Sequence, residues 1–535
     1  MKRRLAVCAA ASCVAVLFSL AAIAQTAERP IGTTIFQIGS DDDSDAEFTA
    51  TGFSTDFTCH VGVDCTTSSF PRELEWHKGI GDYPAMGVTR ATIDFELKES
   101  YPDLVLRLAR TGVETLQVVV DGAHSYRVTA EMLGSTEGVV GTYNLDLGAL
   151  PQGSHGITFT LVDEHRPDSS DDAFGWDALA LIAPWDVTPS AHGRIEQIVV
   201  HGDSLEGDLL GDSPDRAVSV YLPPGYDQHS EVRYPALYLL HGLDATNTLW
   251  IGQGYLRGLN IGTVADTLIS MHRMQPMIIV MPDASNRYGG SFYTDSRLTG
   301  NWDEFVAHDL VAYVDTHFRT IARPESRAIA GHDTGGSGAL VLAMEHPDVY
   351  TVAYSMSPVS AALSDWDSST LFSPRAFAET LMLYRAGVGN GSPAERLHIA
   401  MAAAFSPDLD NPPSFIDLPY KSTSKNPFQI SVANIERVPA VWSEWQAHTA
   451  LAMLADYGMN LLHYQGIGID VGTEDSADLV AGAHAFDSAL TAAAIPHRYE
   501  EYPGTHSGMV TARLATVVLP YVSAHVHGAA EAASR

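Results

Sequence analysis

The hexapeptide Gly331-His332-Asp333-Thr334-Gly335-Gly336 constrains this chain more than any other stretch, because it sets three glycines and one aspartate between a strand pattern and a helix pattern. Upstream, Ser326-Arg327-Ala328-Ile329-Ala330 reads as a short buried strand, and downstream Ser337 to His346 reads as a helix. A sharp strand-turn-helix elbow pushes the residue at its apex out of the backbone, which is how such a turn exposes a nucleophile. Asp333 occupies that apex.

With 535 residues, 45% of them hydrophobic and 18% charged, the chain has room for one large domain and a smaller one. Met1-Lys2-Arg3-Arg4, the apolar run Leu5 to Ile23 and the small residues up to Ala24 have the three parts of a secretory signal. Cleavage after Ala24 is expected, and with it a secreted or periplasmic location. No later apolar run approaches the roughly 20 residues that span a bilayer, so no membrane span is expected. Losing Lys2, Arg3 and Arg4 takes the formal charge from −34 to −37. A chain so acidic is a poor partner for nucleic acid. Of the four cysteines, Cys59 and Cys65 remain after cleavage, and an exported protein would oxidise such a pair to a disulfide.

From residue 31 to 184 the pattern is short alternating segments between turn residues, such as Thr92-Ile93-Asp94-Phe95-Glu96-Leu97 and Leu116-Gln117-Val118-Val119-Val120. Many strands without intervening helices predict an all-β sandwich. Thr34 to Gly39 and Gly175 to Ile182 resemble the first and last strands of galactose-binding-like jelly rolls, which implies a carbohydrate-binding role. Acidic clusters flank both strands. If these strands pair, Asp41, Asp43 and Asp177 converge, a donor set that suits a structural calcium ion. Solvated acidic loops are the other reading.

After a linker at 185–193, strands alternate with longer helical stretches from 194 to 528, the organisation of a mostly parallel sheet with helices on both faces. Tyr234-Pro235-Ala236-Leu237-Tyr238-Leu239-Leu240 empties into His241-Gly242-Leu243, and Pro276 to Asp283 is a second buried strand. The series YPALYLLHGL, MIIVMPDA, SFYTDS, DTHFRT and RAIAGHDTGGSGALVLAMEHPDVY resembles the putative esterase family that holds esterase D, feruloyl esterases and mycolyltransferases. The resemblance implies an α/β-hydrolase fold over residues 195 to 525. It also places an aspartate where the G-x-S-x-G-G elbow of such enzymes carries the serine nucleophile. The insertion 358–441, with Trp366, Tyr384 and Tyr420, falls where lids form in this fold.

By the same resemblance Asp475, after Ile467 to Thr473, takes the place of the triad acid, with Asp470 as competitor, and His506 in Tyr502-Pro503-Gly504-Thr505-His506 takes the place of the histidine. The backbone N–H groups of Thr334 and Leu243 would form the oxyanion hole. A carboxylate needs no base before it attacks, so Asp333 suits displacement at an sp³ carbon, with His506 then activating water against the aspartyl ester. Substrates of that kind are glycosides, ethers, epoxides and halides, small or glycan-linked, with no cofactor for the catalysis. Two alternatives accompany this reading: an inactive domain that binds carbohydrate or another ligand, and a carboxylic ester hydrolase with an atypical nucleophile.

Overall fold

The computed structural model describes residues 29–40, 48, 56–77, 89–112, 114–135, 139–162, 171–363, 369–386 and 391–528. The expected signal at 1–24 and the candidate calcium ligands Asp41 and Asp43 lie outside them, whereas Asp177 is described and buried.

The amino-terminal part is strand-rich and forms two five-stranded sheets. In one, Gly32–Gly39 pairs antiparallel with Asp171–Pro184, setting Gly32 opposite Pro184 and Gly39 opposite Ala178. Val105–Arg110, Gly141–Asp146 and Glu73–His77 complete that sheet. Asp56–His60, Arg90–Leu97, Gly153–Val162, Thr115–Val120 and His124–Val128 form the other. Period-two alternation explains the layering. Ala91, Ile93, Phe95 and Leu97 all point inward from one strand, into a core with Leu106, Leu108, Leu179 and Leu181. Full burial of each such leucine, isoleucine or phenylalanine contributes roughly 1.5–3 kcal/mol. Cys59 and Cys65 are joined by a disulfide with their Cα atoms 4.9 Å apart, clipping the strand Asp56–His60 to the turn that follows.

The larger sheet runs Arg194–His201, Asp215–Leu222, Ile278–Pro282, Ala236–Leu240, Arg327–His332, Val352–Met356, Gly466–Gly472, Arg498–Tyr502. Its first two junctions are antiparallel and the rest parallel. Parallel strands are covered on both faces and so read as unbroken apolar runs. Leu237, Leu239, Ala328 and Ala330 enter one core, while Tyr238, Leu240 and Ile329 enter the core on the opposite face. This is the α/β-hydrolase architecture. Between Val352–Met356 and Gly466–Gly472 the chain makes a long excursion containing the helices Pro374–Ala386, Pro393–Phe405 and Pro439–Ala447. That excursion has a core of its own around Phe372, Phe377, Trp442 and Trp445, so it extends past the expected end at 441. No helix of the described residues is long and apolar enough to cross a membrane.

The elbow strand Arg327–His332 leads through Asp333 into the helix Thr334–Glu345; the strand ends two residues later, and the helix begins three residues earlier, than the sequence pattern suggests. Glycine permits that sharpness. A Cβ on Gly331 would lie 2.2 Å from the Gly335 carbonyl oxygen, and one on Gly335 would lie 2.4 Å from that of Leu240 and 2.6 Å from that of His241. These neighbours are backbone and cannot rotate away. Gly335→Ala is therefore expected to lower the unfolding free energy by about 1–3 kcal/mol, read from the urea midpoint at an unchanged slope. An unchanged midpoint would show that the helix shifts freely.

Candidate active site

Asp333 sits at φ 60°, ψ −122°, a backbone region that only glycine enters without strain. Its N–H donates to the Met356 carbonyl at 3.1 Å, and its own carbonyl accepts the Ser337 N–H at 3.1 Å, so both flanking elements pin the turn. The side chain is largely buried, with its two oxygens in different environments. Oδ2 accepts the Leu243 N–H at 2.6 Å, while Oδ1 lies 3.4 Å from His506 Nε2. On its far side His506 Nδ1 meets Asp475 Oδ2 at 2.8 Å. Asp475 in turn accepts the Ser476 N–H at 2.6 Å. The structure thus brings Asp333, His506, Asp475 and Leu243 into one constellation, with Thr334 opening the helix behind it. The competitor Asp470 lies elsewhere, buried against Arg513 Nε and Tyr354 OH, each at 2.9 Å.

The amide of Leu243 is aimed by its neighbours. His241 Nε2 accepts the Ala284 N–H at 2.9 Å, which leaves Nδ1–H to donate to the Gly242 carbonyl at 2.7 Å, and Tyr293 OH donates to the His241 carbonyl at 2.8 Å. Gly242 has to be glycine, because a Cβ there would lie 2.5 Å from Asp333 Oδ2 and 2.3 Å from Tyr255 OH. His332 acts from below. Its Nε2–H donates to the His506 carbonyl at 2.9 Å, so Nδ1 accepts from Tyr255 OH at 3.1 Å. Burial, with His506 nearby, pulls the His332 imidazole down to about 4 and keeps it neutral. Ser337 offers no substitute nucleophile, since its Oγ is buried and accepts the Ser360 N–H at 2.9 Å.

Charge distribution follows from this geometry. Burial lowers the His506 pKa, but Asp475 first and Asp333 second more than offset that, and it ends well above the ordinary histidine value. Burial raises the Asp333 carboxyl, yet His506, His332 and the Leu243 amide outweigh it and hold the group below the usual carboxylate range. Both shifts have the same cause, the mutual attraction of the Asp333 carboxyl and the His506 ring.

A cavity of about 450 Å³ opens over this constellation. Leu243, Val359, Leu371, Pro393, Ala394, Leu397 and Leu479 make most of its wall apolar, several of them from the excursion. Arg396 closes one side through an ion pair with Asp244. A second cavity of about 710 Å³ begins at Asp244 and Arg396 and is lined by Asn286, Arg287, Tyr288, Tyr384 and Glu395. Among the aromatics, Tyr255 reaches the reactive cavity and Tyr288 and Tyr384 the adjoining one, whereas Trp250, Tyr293 and Trp302 are core. Sequence reasoning missed Arg396, whose partner lies 152 positions away. It also missed two braces from the sandwich. Thr67 N–H donates to Glu474 Oε2 at 2.8 Å, and Ser40 Oγ meets Thr505 Oγ1 at 2.6 Å, so residues next to Asp475 and next to His506 are both held from that side.

Residues 213–509 match the family model described as "Putative esterase". The chain belongs to this esterase family. Over 298 residues it is 27% identical to Esterase Rv1288 of Mycobacterium tuberculosis, covering 54% of this chain and 52% of that protein. Over 164 residues it is 29% identical to an endo-1,4-beta-xylanase/feruloyl esterase of Xylanibacter ruminicola, covering 30% and 21%. The chain thus spans about half of the first relative and about a fifth of the second. Among solved structures, a ferulic acid esterase is 20% identical with a TM-score of 0.41, covering 63% of this chain and 99% of that one. An S-formylglutathione hydrolase from Agrobacterium tumefaciens is 16% identical with a TM-score of 0.39, covering 64% and 98%.

The two flanking carboxylates make a prediction about proton binding. In the Asp333→Asn variant one carboxylate is lost, so the His506 pKa should fall toward that set by Asp475 alone, read by imidazole NMR titration. The stabilisation from the raised histidine is complete below its unfolded pKa of about 6.5 and is lost as pH rises through its folded value. That from the depressed Asp333 is present above about 3.9 and is lost as pH falls through its folded value. A His506 titration identical in both proteins would contradict this charge arrangement.

Proposed function

We propose that this esterase-family hydrolase acts at an sp³ carbon through a covalent alkyl ester on Asp333. The observation that carries the reading is the division of labour between the two carboxylate oxygens. Oδ2 occupies the oxyanion-hole amide of Leu243, and Oδ1 is left toward His506 and the cavity. A substrate ester carbonyl cannot take a donor that the side chain of Asp333 already holds, which disfavours direct acyl transfer. An imidazolium between two carboxylates cannot take a proton from water either, which disfavours direct general-base hydrolysis in the resting state.

Both obstacles become steps in the covalent scheme. Oδ1 attacks carbon, the bond to the leaving group breaks, and the leaving group takes the Nε2 proton of His506. Ester formation discharges Asp333, so His506 is now a neutral base beside one carboxylate. It takes a proton from water, and the hydroxide attacks the carboxyl carbon of Asp333. The oxyanion forms on Oδ2, where the Leu243 N–H already stands. The tetrahedral centre collapses by breaking the bond from the carboxyl carbon to the oxygen that carries the substrate group, and His506 returns its proton to the departing alcohol. Asp333 is left as a carboxylic acid, and its proton moves to His506. Atoms balance as substrate plus water giving alcohol plus protonated leaving group. Asp475 keeps the imidazole in register throughout.

The cavities bear on the substrate. An apolar chamber at Asp333 is separated by the Asp244–Arg396 pair from a tyrosine-bearing one, which fits a substrate with a compact reacting end on a larger hydroxyl-rich body, such as a glycoside or glycan-linked ether. We place its site of action outside the cytoplasm, on the strength of the signal-like residues 1–24 and the disulfide.

His506→Gln removes the base of the second step and spares the nucleophile. Incubated with a panel of glycosides, ethers, epoxides and halides, this variant is expected to gain the mass of the transferred group, mapped by peptide sequencing to Asp333, while the wild type turns over. The competing outcomes are distinct. Wild-type turnover of carboxylic esters, added to the same panel, without an adduct on the variant points to the atypical carboxylic ester hydrolase, and neither turnover nor adduct points to a ligand-binding domain.

A further inference from the structure

At the opposite end of the elbow helix, roughly 18 Å from Asp333 for its 12 residues, lies a cluster that the reaction does not use. We propose that Asp303, Glu345 and His346 form a binding site for a divalent transition-metal cation, of which zinc is the test case. One ligand atom from each side chain lies within 4.8 Å of the other two. Bonds of roughly 2.0–2.2 Å to a shared zinc ion need only small side-chain rotations from there.

Three observations point to a cation. Asp303 is only 9% exposed, and its Oδ2 is buried without a hydrogen-bond partner. Its other oxygen accepts the His346 Nε2–H at 2.6 Å, so the orphaned oxygen is one arm of a carboxylate already fixed in place. A buried anionic oxygen without a donor is costly, and a metal ion satisfies it directly. Next, negative charge is crowded here. Asp295 Oδ1 accepts the Asp303 N–H at 3.0 Å, bringing a third carboxylate up to Asp303 and Glu345. Two carboxyl groups in this position need a proton or a cation between them. Finally, Glu345, alone of the three, lines a cavity of about 370 Å³ shared with Thr294, His448 and Asp456, the side from which an ion would reach it.

Donor type selects the metal. One imidazole nitrogen with two carboxylate oxygens suits zinc or manganese better than calcium, which prefers six to eight oxygens. Bound there, the ion would tie the helical start at Trp302–Glu304 to the end of the helix Thr334–Glu345 whose other end carries Asp333. The role is structural and independent of the reaction at Asp333.

The test is calorimetric titration of the chelator-stripped protein with zinc chloride, beside Glu345→Gln and His346→Gln. Surface histidines bind zinc in all three, so the expected result is one equivalent more in the wild type, with a zinc-dependent rise in Tm that neither variant shows. Equal stoichiometry in the three proteins overturns the site and assigns the cluster to a proton shared by Asp303 and Glu345. Should either variant fail to fold by circular dichroism, anomalous diffraction from zinc-soaked wild-type crystals decides, since the proposal requires a peak among the three side chains and is refuted by its absence.

Discussion

The organising constraint of this molecule is a row of three side chains in contact, Asp475, His506 and Asp333. A serine in place of Asp333 would leave the histidine with one carboxylate and free to act as a base. An aspartate puts a second carboxyl beside the same histidine and raises its affinity for a proton. The substitution therefore changes the protonation state of its neighbour as well as its own chemistry. In the covalent scheme proposed above, esterification discharges Asp333 and releases His506 to act as a base. A chemical step and a charge switch are then one event.

Much of the fold serves to hold that row. The strained backbone at Asp333 persists because glycines 331 and 335 let strand and helix pack at backbone contact. The Leu243 amide is aimed by the neutral, doubly bonded His241, and the imidazole of His506 rests on the equally neutral His332. The strand-rich amino-terminal part reaches across to the residues beside Asp475 and His506, so its edge belongs mechanically to the site. The excursion contributes the apolar wall and Arg396. Three regions far apart in the chain meet over one carboxylate.

How much of this was legible in the sequence depended on distance along the chain. Parallel strands buried on both faces leave unbroken apolar runs, and Tyr234 to Leu240 was readable for that reason. Strands with one buried face alternate, as Arg90–Leu97 does, and were equally readable. Asp333, Asp475 and His506 stood out because each sits in a short local motif whose order along the chain is itself a signal. The pairing of Arg396 with Asp244 and of Thr67 with Glu474 had no local signature, the second spanning 407 positions. Protonation states were also out of reach, because they depend on burial and on through-space charges that no window of sequence contains. The cluster of Asp303 with Glu345 and His346 was hidden for the same reason.

The central claim is that Asp333 becomes covalently bound during turnover, and the fate of oxygen tests it most directly. With a substrate that the wild type turns over, a single turnover in ¹⁸O-labelled water followed by mass analysis of the peptide containing Asp333 would locate the label. Attack of water on an aspartyl ester puts ¹⁸O into the Asp333 carboxylate and gives a product alcohol carrying unlabelled oxygen from the protein. Label in the product with none in Asp333 would mean that water attacked the substrate directly, and the account of this site as a covalent one would be wrong.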